Sequence, residues 1–231
     1  MAEPSRAQAR AAEILLRWLT LAAFAAPLLV LAAVFGTRLG LWSAEFGLEV
    51  LTLKIGRILA FVGLAAALVA VIVAMKDMRR RGLYAAVSLV VAGAAVALFM
   101  VQGQRFAVPA ANDVTTDAGE PPAFSRAVLG MRGGQGGATA SVACPDLVSV
   151  PRQVAPETAA AALEAAGFTP RGAAAFRADG SKEGFWFGLT HDAAIRIRPG
   201  RTDVRVAQRE GVAVGDEACR LARAIRDGLQ P

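Results

Sequence analysis

The side chains best suited to binding chemistry are arginines near the C-terminal end of the chain, preceded by phenylalanines. A guanidinium group donates paired hydrogen bonds to a carboxylate or phosphate and also stacks on aromatic rings. We therefore hypothesise a mixed face that binds an anionic group or a partner protein. Its members are Phe185, Phe187, Arg196, Arg198, Arg201 and Arg205. The alternative is a solvated face with one Arg196–Asp203 ion pair, whose phenylalanines are covered by the proline-containing segment.

A tight turn positions these arginines. The sequence RPGR at residues 198–201 has Pro second and Gly third, which favours a hairpin turn in which residues whose numbers sum to 399 pair. Ile195 then lies opposite Val204 on one face of the hairpin, and Arg196 lies opposite Asp203 on the other.

The single histidine, His191, lies beside Asp192 in a segment that we interpret as the preceding turn. If His191-Asp192 is a turn, the strand pairing that follows places Phe185 and Phe187 on the arginine-bearing face. A shift of this pairing by one residue would move them to the opposite face. General base catalysis by His191 would need a nearby nucleophile or a bound metal. Cys144 is a nucleophile without further support, so turn and capping roles are favoured for the histidine.

Two other segments resemble ligand sites only loosely. The acidic residues in 113–120 lack the spacing of an EF-hand calcium loop. The glycine-rich run 130–137 lacks the Gly-Lys-Ser/Thr ending of a phosphate-binding loop. We therefore interpret both as loops and predict no metal site, no cofactor and no assigned catalytic residue.

The chain has two cysteines, Cys144 and Cys219. In an oxidising compartment they would form a disulfide that ties the first predicted strand of the soluble domain to its last helix. Such a bridge contributes roughly 2 to 5 kcal/mol. Two buried thiols are the alternative, and the sequence leaves both open.

Nearly all long apolar runs lie within residues 1–101 of a chain that is 55% hydrophobic. An apolar helix of about 20 residues crosses the ~30 Å hydrocarbon core of a bilayer. We predict an all-α region of three transmembrane helices. They cover residues 14–36, 55–75 and 83–102, after a tail at 1–13 and with connecting loops at 37–54 and 76–82. A cleaved signal peptide is the alternative for the first helix, but its apolar run is longer than usual and lacks a small-residue cleavage site.

The distribution of basic residues predicts the orientation. Residues 1–17 and the loop 76–82 together carry seven Lys and Arg residues, and residues 38–57 carry three. The positive-inside rule places such segments in the cytoplasm. We expect a multi-pass protein of the bacterial inner membrane with a cytoplasmic N-terminus and a periplasmic C-terminal domain. Of the net charge of +6, residues 102–231 contribute only +1, so nucleic acid is not an expected partner.

Residues 103–141 are rich in Pro and Gly, which predicts an extended segment, and residues 142–231 predict a periplasmic α+β domain. The domain has a mainly antiparallel sheet and two helices. The predicted strands are 142–150, 185–190, 193–198 and 202–208, with 168–178 as a further candidate. The predicted helices are 156–166 and 214–229, the second with Val214, Ala218, Leu221, Ile225 and Leu229 on its apolar face.

Four sequence segments together resemble the bacterial family called domain of unknown function 1499. They are NDVTTD at 112–117, PPAF at 121–124, FGLTHDAAIRIR at 187–198 and DVRVAQREG at 203–211, and the resemblance extends over residues 105–230. It implies this fold and an envelope setting, with no reaction attached. The chain departs from the family pattern at His191-Asp192, where paired acids are expected, at Gln208-Arg209, where Ser-Arg is expected, and in residues 212–219.

Three functional hypotheses follow. The first is a membrane-anchored periplasmic module that binds an envelope protein, a lipid or an anionic envelope component, with the lipid bilayer as its constant partner. The second is an envelope hydrolase or transferase, which convergence of His191, Asp192, Asp113 or Asp117 in one pocket would favour. The third is a structural membrane subunit of a larger complex.

Overall fold

The structure is a computed structural model that describes residues 6–106, 112–134, 144–212 and 215–230. It divides into two compact units, Met1–Gln104 and Arg105–Pro231. We call the first the helical unit and the second the α+β unit.

Nearly every described residue of the helical unit is helical. Its elements are α1 (Arg6–Arg38), a π-helical segment (Phe46–Gly56), α2 (Arg57–Ala74), a 3-10 turn (Met75–Asp77) and α3 (Met78–Phe106). Within the described residues, two helical segments are long and apolar enough to cross a membrane, Arg10–Arg38 and Phe46–Gly103. The prediction of three separate helices is corrected to two segments, because the residues of the 3-10 turn are themselves helical and no non-helical residue separates α2 from α3.

Small side chains allow the helices to pack closely. Ala23, Ala67 and Ala92 form one buried cluster, so residues of α1, α2 and α3 meet at a single level. In a straight helix Ala67 and Ala92 would be about 37 Å apart at ~1.5 Å per residue. The helical path therefore folds back near the 3-10 turn, and α2 and α3 run antiparallel.

Trp42 closes the connection between α1 and the π-helical segment. Its indole Nε1 donates hydrogen bonds to the carbonyl oxygen of Ala33 at 3.2 Å and to Thr37 Oγ1 at 3.1 Å. A Cβ atom at Gly36 would lie 2.0 Å from the Trp42 ring, so only glycine allows this approach.

The α+β unit contains one five-stranded antiparallel sheet with the strand order β1-β5-β4-β3-β2. The fold class predicted for this part of the chain is therefore confirmed. The strands are β1 (Asp113–Thr115), β2 (Thr169–Ala174), β3 (Arg177–Glu183), β4 (Thr190–Arg198) and β5 (Arg201–Gln208). Among the described residues of this unit the helices are α4 (Arg126–Met131), α5 (Pro156–Ala165) and α6 (Glu217–Gly228), of which α5 and α6 are the two predicted for residues 142–231 and α4 is additional.

The additional helix, α4, lies in the segment predicted to be extended. Ser125 caps it, because its side-chain oxygen accepts a hydrogen bond from the backbone N–H of Val128 at 3.3 Å. The parts of the predicted extended segment at 107–111 and 135–141 lie outside the described residues.

The register predicted for the hairpin β4–β5 is confirmed. Ile195 pairs with Val204 and Arg196 pairs with Asp203. The turn predicted at His191-Asp192 is wrong, because both residues lie inside β4. The strand predicted at 185–190 is a loop up to Leu189, where Gly188 adopts a φ of +68° that a continuing strand would not contain.

Helices α5 and α6 cover one face of the sheet and form the main core with it. The predicted apolar face of α6 is buried at Ala218, Leu221, Ile225 and Leu229, and Val214 lies outside the described residues. A disulfide joins Cys144 to Cys219 of α6 at this core, with 5.5 Å between the Cα atoms. Of the strand predicted at 142–150, only an isolated bridge between Val150 and Thr202 occurs among the described residues.

Candidate interaction surface

The second face of the sheet carries most of the charged side chains named above. Because side chains alternate across a strand, Asp192, Ala194 and Arg196 project to the side opposite Ile195. Residues 117–134 cover this face, and Phe124 and Val128 of that segment pack against Ala194 and Ala207. The face is therefore a covered layer of ion pairs, in which the carboxylates of Asp192 and Asp203 are buried and the arginines at 196, 198 and 201 keep part of their side chains exposed.

Asp203 is the centre of the first group of ion pairs. Its fully buried carboxylate accepts hydrogen bonds from Ser149 Oγ at 2.6 Å, Arg196 at 3.1 Å, Arg198 at 2.6 Å and Arg201 Nε at 2.7 Å. Burial by itself would raise the pKa of Asp203. The hydrogen bonds from Ser149 and the arginines outweigh burial, so the pKa lies below its ordinary value.

The loop after β1 supplies further carboxylates to the same arginines. One Asp117 oxygen lies 3.2 Å from Arg196 and 3.1 Å from both Arg198 and Arg201. Glu120 lies 2.8 Å from Arg198. Three arginines therefore face three carboxylates, and the group has no excess positive charge with which to attract an anion.

A second group of ion pairs surrounds Asp192. Its buried carboxylate accepts hydrogen bonds from Ser181 Oγ at 2.7 Å, Arg132 at 2.9 Å and Arg209 at 2.6 Å. Burial would raise the pKa of Asp192, but these donors hold the pKa below its ordinary value. The carboxylate is therefore ionised at neutral pH, and it links β4 to the neighbouring strand β3, to the end of α4 and to the residue after β5.

Phe124 lies between two arginines of this layer. The guanidinium carbon of Arg132 is 4.9 Å from the centre of the Phe124 ring, and that of Arg205 is 4.7 Å away. Arg205 also forms a two-point ion pair with Asp113, at 2.9 and 2.5 Å. Cation–π contact and ion pairing together hold the covering segment against the sheet.

The hypothesised Phe- and Arg-bearing face does not form as one surface. Arg196, Arg198 and Arg201 lie together, and Arg205 lies on the same face of the sheet with Asp113 as its partner. Phe185 and Phe187 lie in the loop before β4, whereas Arg198 lies at the far end of that strand, roughly 26 Å away at ~3.3 Å per residue. The phenylalanines and Arg198 are separated because His191 and Asp192 lie within strand β4 and do not form the predicted turn.

The geometry also separates the groups that an enzyme would need to bring together. His191 faces the helices α5 and α6 and is 6% exposed, while the neighbouring Asp192 projects to the opposite face. Burial lowers the pKa of His191, although Glu217 acts in the other direction. Among the described residues, no group of three His, Cys, Asp or Glu side chains is placed to hold a metal ion.

Two adjacent exposed aromatic side chains of the α+β unit lie in the loop between β3 and β4, residues 184–189, which we call the aromatic loop. Phe185 is 80% exposed and Trp186 is 61% exposed. Their rings meet edge to face with 5.4 Å between the centroids. The loop is closed by a hydrogen bond of 2.8 Å from the backbone N–H of Gly184 to the carbonyl oxygen of Leu189.

Sequence reasoning included Phe185 and Phe187 but omitted Trp186. The available signal was the sequence GFWFG at 184–188, three consecutive aromatic residues between glycines. Such a sequence does not alternate as a half-buried strand does, and it favours an exposed loop.

Comparisons of the chain with protein-family models, curated proteins and solved structures found no match. The fold and the surface define the class of the molecule: a helical unit with two segments able to cross a membrane, followed by a disulfide-bonded α+β unit with an exposed aromatic loop.

Proposed function

We propose that this protein is a binding module of the bacterial envelope, anchored in the inner membrane with its α+β unit in the periplasm. The observation that carries the proposal is the disulfide between Cys144 and Cys219, in a chain that also has helical segments able to cross a membrane. Structural disulfides persist in oxidising compartments such as the periplasm and are rare in the cytosol.

The packing of the helical unit supports three crossings within its two segments. Because α2 and α3 run antiparallel, the segment Phe46–Gly103 crosses twice and returns near the turn Met75–Asp77. Lys76 and the three arginines at 79–81 lie at this return. The positive-inside rule puts the return and the N-terminus in the cytoplasm, and the α+β unit is then on the other side.

Binding is favoured over catalysis by the way in which the polar side chains are used. Asp192 and Asp203 are ionised, buried and hydrogen-bonded to arginines, so they hold the fold together and are not offered to a substrate. His191 is separated from both by the sheet. The aromatic loop exposes Phe185 and Trp186, and exposed aromatic side chains are typical of an interaction surface.

The state of the two cysteines in living cells tests the proposal. Cells are quenched with acid, the protein is denatured, and a maleimide that adds mass is applied with or without prior reduction. The proposal predicts a mass shift only after reduction. A shift without reduction would mean that the thiols are free in the cell and that the α+β unit occupies a reducing compartment.

A further inference from the structure

We propose that the aromatic loop inserts Phe185 and Trp186 into the surface of the same bilayer that holds the helical unit. The partner of the loop is therefore a lipid surface, and the inference rests on the membrane anchoring proposed above. Aromatic residues, Trp above all, favour the headgroup level of a bilayer because one part of the ring system is apolar and another is polar.

The strand order places this loop at a particular end of the sheet. The loop leads directly into Thr190, the first residue of β4, and the next residue, His191, pairs with Gln208 of β5. The backbone N–H of Gln208 donates a hydrogen bond of 2.7 Å to the carbonyl oxygen of Asn112. Asn112 thus lies about 10 Å from the start of β4, two strand spacings across the sheet.

Asn112 is the first described residue after α3, the last helix of the helical unit. Helix α3 ends at Phe106, and residues 107–111 separate it in sequence from Asn112. The polypeptide therefore arrives from the membrane anchor at the end of the sheet that carries the aromatic loop. This shared end is what identifies lipid as the partner.

The charges around the loop exclude simple attraction to anionic headgroups as the driving force. Lys182 and Arg209 are balanced by Glu183 and Glu210 at the same end of the sheet. We therefore expect insertion to occur in a zwitterionic bilayer and to depend little on salt, since apolar burial and not charge drives it.

The chain offers a matched control at the opposite end of the sheet. Phe176, in the turn between β2 and β3, is 64% exposed, close to the 61% of Trp186. A tryptophan at position 176 therefore has an exposure similar to that of Trp186 in the same unit, but it lies at the opposite end of the sheet from Asn112.

The test uses the full chain reconstituted in phosphatidylcholine vesicles, with brominated acyl chains as the lipid quencher and iodide as the aqueous quencher. Three proteins are compared: the natural sequence, Trp186→Phe, and Trp186→Phe combined with Phe176→Trp. The difference between the first two gives the Trp186 signal, and the difference between the last two gives the signal from position 176. All three are reconstituted identically, so a mixture of orientations affects them equally.

The proposal predicts that brominated lipid reduces the Trp186 signal and leaves the signal at position 176 unchanged, with the opposite pattern for iodide. A Trp186 signal that responds to iodide as strongly as position 176 would overturn it. A Trp186 signal protected from both quenchers would also overturn it and would indicate a protein partner or a second copy.

The Trp186→Phe protein separates this inference from the proposed anchoring. It retains Trp18 and Trp42, both in the helical unit. If these are quenched by brominated lipid while Trp186 is not, the anchoring stands and the insertion of the loop is refuted. If they are not quenched either, the anchoring itself is refuted.

Discussion

Arg196 and Asp203 lie directly opposite each other on β4 and β5, and the Arg196 guanidinium donates a 3.1 Å hydrogen bond to the fully buried Asp203 carboxylate. A buried carboxylate is expensive to remove from water and is stable only when several donors surround it. Asp203 has four such donors, and the pair therefore links the hairpin to the segments that carry Ser149 and Asp117.

We predict that Asp203→Asn lowers the free energy of unfolding of the α+β unit by about 1 to 3 kcal/mol, because it removes a fully buried charge that four donors surround and leaves three half-buried arginines without this counter-charge. The measurement is urea unfolding of the detergent-solubilised protein followed by fluorescence. Asp179→Asn is the matched control, since Asp179 is equally buried but burial raises its pKa. Equal losses for the two variants would contradict the assignment of Asp203 as the centre of the ion pairs.

Asp203 and Asp179 contribute opposite dependences of folding stability on pH. The lowered pKa of Asp203 stabilises the folded state above the unfolded pKa of about 3.9, and this stability is lost as the pH falls through the folded pKa. The raised pKa of Asp179 means that the folded state binds a proton more readily than the unfolded state does. The unfavourable contribution of the charged Asp179 to folding stability therefore decreases as the pH falls toward about 4.

Asp179 therefore contributes a gain in stability as the pH falls toward about 4, and Asp203 contributes a loss below about 4, whereas the lowered pKa of His191 contributes a loss as the pH falls below about 6.5. In Asp179→Asn the gain disappears and the acid loss remains. Unfolding curves recorded across this range check the prediction. An Asp179→Asn profile that keeps the gain would show that another group is responsible.

Close packing in the helical unit gives an independent prediction. A Cβ atom at Gly63 of α2 would lie 3.0 Å from the carbonyl oxygen of Ala22 in α1, whereas a Cβ at Gly93 of α3 would meet no atom within 4 Å. Gly63→Val should therefore lower the thermal stability of the protein in mild detergent, and Gly93→Val should change it little. The fraction of protein that stays soluble after heating measures the thermal stability of both variants. Equal losses for Gly63→Val and Gly93→Val would refute the close approach of α1 and α2.

The parts of the fold that local chemistry determines could be predicted from the sequence. The RPGR turn fixed the pairing of Ile195 with Val204, and the apolar spacing identified the buried side of α6. Strand β3 was missed because its sequence, RADGSKE, has no apolar alternation. Its polar residues are buried because a second layer covers them.

That second layer could not be predicted, because long-range ion pairs create it. Asp117 and Arg196 are 79 residues apart in the chain, and nothing in the local sequence of either residue indicates the other. For the same reason the arginines were expected on a binding face. Their partners, Asp203 of β5 and Asp117 and Glu120 of the covering segment, engage them in ion pairs that leave only part of each arginine exposed.

The location of the α+β unit relative to the membrane is the central claim, and cysteine accessibility tests it most directly. Arg171→Cys adds a thiol at an exposed position of β2, and Met78→Cys adds one at an exposed position beside the basic return. The natural cysteines are joined to each other and do not react. A membrane-impermeant maleimide should label Arg171→Cys as soon as the outer membrane is permeabilised, and Met78→Cys only after the inner membrane is lysed. Labelling in the reverse order would contradict the account.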